Sequence, residues 1–197
     1  RDFDKLSHYY AEHGNREAAC YAALLAADEK KNKGEFLDSL MHVYGDLPIC
    51  GEVAISKYNY MREREDPVDK RIALIDNALS RWASWPAMEE LRYARKELTA
   101  PLSTAVADKL RVTSKDQNNT VKVEVRNLPG LTLNITSTSL KGNNQYNVDD
   151  KNDLKAIKAS LIPTSKQAIQ RTYKDYKDYE VLKDSFNLPA LPIGVYL

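Results

Sequence analysis

One change of rhythm constrains this chain more than anything else in it. Up to about Leu110 the apolar residues recur every three or four positions; from Val121 onward they alternate one by one. The first period is that of a helix with one buried face, the second that of a half-buried strand. The chain is therefore expected to divide into two parts. Residues 1–110 should form an α-helical hairpin array and residues 111–197 a β-sandwich, giving a multidomain α + β protein.

The first part reads as six helices. Leu6, Tyr9, Tyr10 and His13 form a stripe interrupted by Gly14-Asn15, and Ala18, Ala19, Ala22, Leu25 and Ala26 form the next, broken by Asn32-Lys33-Gly34. A third stripe (Phe36, Leu37, Leu40, Met41, Tyr44) stops at Gly45-Asp46. Pro48 suits the first turn of a fourth helix, where its missing N–H is not needed, followed by Val53, Ala54, Lys57, Tyr58 and Met61. Asp66-Pro67 opens a fifth with Ile72, Ile75, Leu79 and Trp82. Ser84-Trp85-Pro86 restarts the chain into a sixth with Met88, Leu91, Ala94, Arg95 and Leu98, ended by Pro101. Short links make these three antiparallel hairpins, beginning near residues 2, 35 and 68. A spacing of about 33 belongs to helix–turn–helix solenoids of the tetratricopeptide (TPR) kind, with a plain bundle as the alternative. Ser103 to Leu110 is helix-like and would extend the array.

In the second part Val121, Val123 and Val125 alternate with Lys122, Glu124 and Arg126, and Leu131, Leu133 and Ile135 alternate again. Asn127-Leu128-Pro129-Gly130 between them predicts a tight loop joining two antiparallel strands. Further strands are expected over 156–162, 168–173, 180–186 and 193–197, with Gly142-Asn143-Asn144 punctuating a polar excursion. Short strands and polar turns over this length predict an immunoglobulin-like or fibronectin-like sandwich.

Composition excludes some partners. Hydrophobic residues make up 43% of the chain, enough for a core in each part. The net charge is +1; residues 1–110 carry 16 Lys/Arg against 19 Asp/Glu, the remainder 13 against 9. No phosphate-tracking stripe follows from that, so nucleic acid is not an expected partner. No apolar run reaches the roughly 18 residues of a membrane span, so direct membrane insertion is not expected either. The chain starts at Arg1 and stops within the apolar run Ile193-Gly194-Val195-Tyr196-Leu197, which reads as a piece cut from a longer polypeptide. Cys20 and Cys50 are expected as small buried hydrophobes rather than a disulfide.

Candidate chemistry is sparse. His8, Glu12 and His13 miss the His-Glu-x-x-His spacing that puts two imidazoles on one helix face, so no metal site is expected. Tyr173 to Tyr179 interleaves Tyr and Lys as single-strand binders do, but an Asp follows each Lys and cancels the attraction for phosphate. Asn118-x-Thr120 and Asn134-x-Thr136 fit a glycosylation pattern. All three histidines lie within the first 42 residues, and Glu89-Glu90 and Asp149-Asp150 read as solvated surface. No acid, base and nucleophile assemble, so no catalytic residue and no cofactor is expected. Ile49-Cys50-Gly51-Glu52-Val53 comes close to the thioester motif Cys-Gly-Glu-Gln, but Val53 stands where the glutamine must be.

Three stretches resemble the N-terminal region of large bacterial α2-macroglobulin family proteins of the Bacteroidetes type. They are Leu37-Asp38-Ser39-Leu40 through Tyr44-Gly45-Asp46, Ala78 to Trp82 with Leu91 to Pro101, and Phe186-Asn187-Leu188-Pro189-Ala190-Leu191-Pro192-Ile193-Gly194-Val195-Tyr196-Leu197. The last looks like the closing strand of a macroglobulin domain. The resemblance implies a helical domain, then the first macroglobulin-like domain of a protease-trapping protein of the periplasm or cell envelope. It implies downstream domains of the same polypeptide, and proteases or other envelope proteins, as partners. Bait region and thioester lie outside these residues, leaving this part a non-catalytic scaffold. The rival reading is a free-standing peptide-binding repeat module with an accessory sandwich.

Overall fold

The computed structural model describes residues 2–106, 119–142 and 145–197. The chain is mixed α + β and divides into two compact units, Arg1–Ala100 and Pro101–Leu197. The division falls ahead of the expected boundary at Leu110. It does so because Leu102–Val106 is a strand, where a continuing helix was expected. Residues 107–110 of that expected helix lie outside the described residues, as does Asn118 of the first glycosylation pattern.

The first unit runs α1 (Phe3–Glu12), α2 (Arg16–Ala26), α3 (Lys33–Val43), α4 (Cys50–Glu63), α5 (Val68–Arg81) and α6 (Glu89–Thr99). The breaks between them are chemical. At the end of α1, Asn15 N–H donates to Tyr10 O and Gly14 N–H to Ala11 O, with Gly14 at φ 74°. This glycine-closed C-cap satisfies carbonyls that the helix leaves open. Asn15 then accepts from Ala18 N–H and caps α2. The same closure recurs after α4, where Asp66 N–H donates to Met61 O and Glu65 N–H to Arg62 O. There the left-handed position is held by Glu65, at φ 55°.

Packing follows the stripes for α3 to α6; in α2, Leu25 of the expected stripe is exposed, and Cys20 and Ala23 join Ala19, Ala22 and Ala26 inside. Cys20, Leu37, Cys50, Val53, Ile75, Met88 and Leu91 are fully enclosed in one core. Trp82 closes it and donates its indole N–H to Gly45 O at 2.9 Å. Gly51 matters for space: a Cβ there would come within 2.7 Å of Met88 Cε and Trp85 Cβ. The stripe of α1 departs from expectation. Leu6, Tyr9 and His13 are exposed; of the expected stripe Tyr10 alone turns inward, together with Phe3 and Ser7. Ser7 Oγ donates to Ala19 O at 2.8 Å.

The second unit contains β1 (Leu102–Val106), β2 (Asn119–Arg126), β3 (Gly130–Ile135), α7 (Lys151–Ser160), β4 (Gln167–Thr172) and β5 (Leu182–Leu188). β1, β2 and β5 form one antiparallel sheet with β2 central; β3 and β4 form another. The expected β2–β3 hairpin does not occur. Asn127, at φ 54°, turns the chain out of the first sheet, and Leu128-Pro129 carries it into the second. The Tyr176 hydroxyl holds this crossover, accepting from Leu128 N–H and donating to Leu128 O, both at 2.8 Å. Val121, Val123 and Phe186 from the first sheet then share a core with Leu131, Leu133 and Ile169 from the second.

The strand expected over 156–162 is the helix α7. Asp150 caps it by accepting from Asn152 and Asp153 N–H, and Leu154, Ile157 and Ser160 fall on one helical face. Alternation in that short stretch is outweighed by the cap and by the helix-forming Lys155, Ala156 and Lys158. The expected last strand contributes a single bridge, Ser137 to Tyr196.

Two substitutions check this account by chemical denaturation. Glu65→Gly should stabilise by about 0.5–1 kcal/mol, relief of the left-handed strain outweighing the added chain entropy, and Glu65→Ala should give no such gain. Gly51→Ala should destabilise by about 1–3 kcal/mol, because the added methyl overpacks Trp85 and Met88.

Candidate functional site

The helical unit holds a groove between α4 and α6. α4 and α6 both lie against the chain between Trp85 and Met88: Gly51 packs on Trp85, and Trp85 Nε1 donates to Glu52 Oε2 at 2.7 Å. From that point buried Ile55 and Tyr58 on α4 and Leu91 on α6 make an apolar floor. Ala94 is the small residue on α6 between Leu91 and Leu98, and the missing side-chain volume there opens the space. The groove encloses about 430 Å³.

Its rim is charged and amphipathic. Asn59 and Arg62 come from α4, Arg71 from α5, and Glu90, Tyr93 and Glu97 from α6. Arg71 is set in place by donating from Nε to Asp66 O at 2.9 Å, so the chain turn after α4 positions it. Tyr93 is 65% exposed, an aromatic ring standing in solvent at the edge. Two guanidinium groups face two carboxylates around an apolar floor. That arrangement can hold an apolar side chain and pair with charges of either sign beside it. No Cys, His or Ser lines it.

The sequence flagged Tyr58 and Leu91 as core, and they are; Glu90 was flagged only as surface. The groove itself was missed, and the small Ala94 within a bulky stripe was its only signal.

The other flagged residues are not brought together. His8 pairs with Glu12 at 3.1 Å on the exposed side of α1, whereas His13 bonds Tyr9 O and lies against the Tyr9 ring. Among the described residues no cluster of His, Cys, Asp or Glu could hold a metal ion. The Tyr173–Tyr179 run is largely structural. Tyr176 holds the crossover, Tyr179 N–H donates to Asn127 Oδ1, and Tyr173 is buried with its hydroxyl donating to Asp184 Oδ2 at 3.0 Å. Arg171 joins that carboxylate at 3.4 Å and covers the Phe186 ring. Burial, then the Asp184 bond, pushes the Tyr173 phenol up to about 12, so it stays neutral.

Cys20 and Cys50 are free and fully buried. Burial pushes Cys20 up to about 12, reinforced by Cys50 and opposed by Arg16; burial likewise pushes Cys50 up to about 11, opposed by Arg81. Thiols of that kind are poor nucleophiles.

With this geometry in view, comparison with protein families, curated proteins and solved structures finds no match. The groove and the edges of the sheets therefore stand on their own chemistry.

The thiols give a direct check. Neither should react with a disulfide reagent at pH 8 in the folded chain, and both should react at once in denaturant. Because folding raises both values above the ordinary 9.0, their contribution to stability is complete below about pH 9. It should be lost as pH rises toward 11–12, seen as a falling denaturation midpoint.

Proposed function

We propose that the chain is a non-catalytic scaffold and protein-interaction segment of a large α2-macroglobulin-like protease-trapping protein of the cell envelope. In this reading the first unit is a TPR-like array of antiparallel hairpins and the second is the first macroglobulin-like β-sandwich. The observation that carries it is the behaviour of the closing segment. Leu188-Pro189-Ala190-Leu191-Pro192 leaves the end of β5, and the chain then pairs backbone to backbone beyond β3. Leu197 N–H donates to Thr136 O, Thr136 N–H donates to Leu197 O, and Thr138 N–H donates to Val195 O. Proline cannot donate to a ladder, so Pro189 and Pro192 suit the approach to this strand rather than its interior.

A second reading has its own support in the α4–α6 groove. An apolar floor under a mixed-charge rim fits a peptide carrying one large apolar side chain, as in a free-standing helical-repeat binding module. The two readings differ in what lies beyond Leu197. Coding sequence that continues into further β-domains with a Cys-Gly-Glu-Gln favours the first, and a stop shortly after Leu197 sinks it.

The scaffold reading also has a functional check. Incubated in excess with serine, cysteine and metalloproteases of broad specificity, this chain should leave their cleavage of a protein substrate unchanged. Stoichiometric inhibition by these residues alone would refute the assignment of trapping to other parts of the protein.

A further inference from the structure

β3 has two edges, and only one is taken along its length. In an antiparallel strand the N–H and C=O of one residue point the same way, and those of the next point oppositely. On the β4 side Pro129 O accepts from Tyr173 N–H and Ser137 O from Ile162 N–H. Odd-numbered residues of this stretch therefore face β4, which pairs Leu131 with Arg171, Leu133 with Ile169 and Ile135 with Gln167. On the other side Thr136 exchanges both its hydrogen bonds with Leu197. Gly130, Thr132 and Asn134 share that parity, so their N–H and C=O groups line the same edge, and no partner meets them among the described residues. Thr132 and Asn134 are exposed.

We infer that this edge of β3 is a strand-acceptor site, and that its occupant is an extended segment joined directly to Leu197. The inference rests on the scaffold reading for a polypeptide that runs on past Leu197, and it deepens that reading by giving the run a place and a register. Continuity is the first argument. The pairs Ser137–Tyr196 and Thr136–Leu197 already set an antiparallel ladder, and its next rungs are Ile135, Asn134 and Leu133. The second argument is that the edge is unguarded. Exposed edges are usually blunted by Lys, Pro or a bulge, and Gly130–Ile135, which reads Gly-Leu-Thr-Leu-Asn-Ile, has none of these. The third is facial. Leu131, Leu133 and Ile135 turn toward the core side, so the first, third and fifth residues after Leu197 must be apolar and those between them polar.

The test extends the full chain at Leu197 by Val-Lys-Val-Thr-Val-Lys and follows amide hydrogen exchange by NMR. In the unextended chain the amides of Thr132 and Asn134 should exchange fast, and those of Leu133 and Ile135 slowly. The extension should slow Gly130, Thr132 and Asn134 by about tenfold or more, the scale of one well-formed rung. Val-Pro-Val-Pro-Val-Lys, with proline at the hydrogen-bonding positions, should not. Unchanged Val123 and Phe186 amides establish that each version is folded. No slowing in a folded extended chain, or equal slowing with the proline version, overturns the inference. So does concentration-dependent slowing in the unextended chain, which would assign the edge to a second copy. The protease experiment has no bearing on these amides, so the two readings fail separately.

Discussion

The helical unit depends on how closely its neighbours can approach α4. That helix buries Cys50, Val53, Ala54 and Tyr58, and its first turn has no side chain at Gly51. The gap lets Trp85 and Met88 come against the backbone at the point where the chain enters α6. Trp82 then reaches back to Gly45 O, tying the end of α5 to the loop between α3 and α4. The groove is a product of the same approach. α4 meets the turn between Trp85 and Met88, and beyond it the groove is lined from α4 by Ile55 and Tyr58 and from α6 by Leu91, the small Ala94 and Leu98.

The β unit has a comparable dependence on β2, but of a different kind. β2 is central in its sheet, with Val121, Val123 and Val125 buried and Lys122 and Glu124 in solvent. Val121 pairs with Phe186 across to β5, and this apolar pair meets Leu131 and Leu133 from the other sheet. One inward position breaks the pattern: Asp184 faces Val123. Its carboxylate is met by Tyr173 and Arg171, both from the end of β4. A half-buried charge that would otherwise cost stability thus becomes a tie between the two sheets.

How much of this could be read in the sequence divides along the range of the interactions. Helix stops were legible because they are local: Gly14, Asn15, Asp66-Pro67 and Pro86 act on their own neighbours. The strand at Val121–Val125 was legible for the same reason. The partners of strands were not. A loop such as Asn127-Leu128-Pro129-Gly130 serves a hairpin or a crossover equally well, and the choice is made by Tyr176, which lies 48 positions away in the chain. At 151–160 a capping aspartate outweighs a short alternation, which shows how weak period alone is in brief segments. The exposed stripe of α1 has a related cause: Leu6, Tyr9 and His13 keep helical spacing whether or not anything covers them.

The functional reading turns on the same distinction between closed and open chemistry. Several flagged groups are held locally: His13 by Tyr9, Tyr176 and Tyr179 by the β2–β3 crossover, and the thiols are enclosed in the core. Two features stay open among the described residues, an amphipathic groove between helices and a row of backbone groups along β3. The groove holds no Cys, His or Ser, and both features offer the kind of surface on which peptide recognition draws. A groove selects through side chains and so tolerates many backbones, whereas a strand edge selects by register and suits a segment that is tethered in place. The Thr136–Leu197 pair supplies such a tether for β3, and among the described residues nothing comparable leads into the groove. A segment joined at Leu197 would begin beside its acceptor, so pairing would cost little further loop-closure entropy.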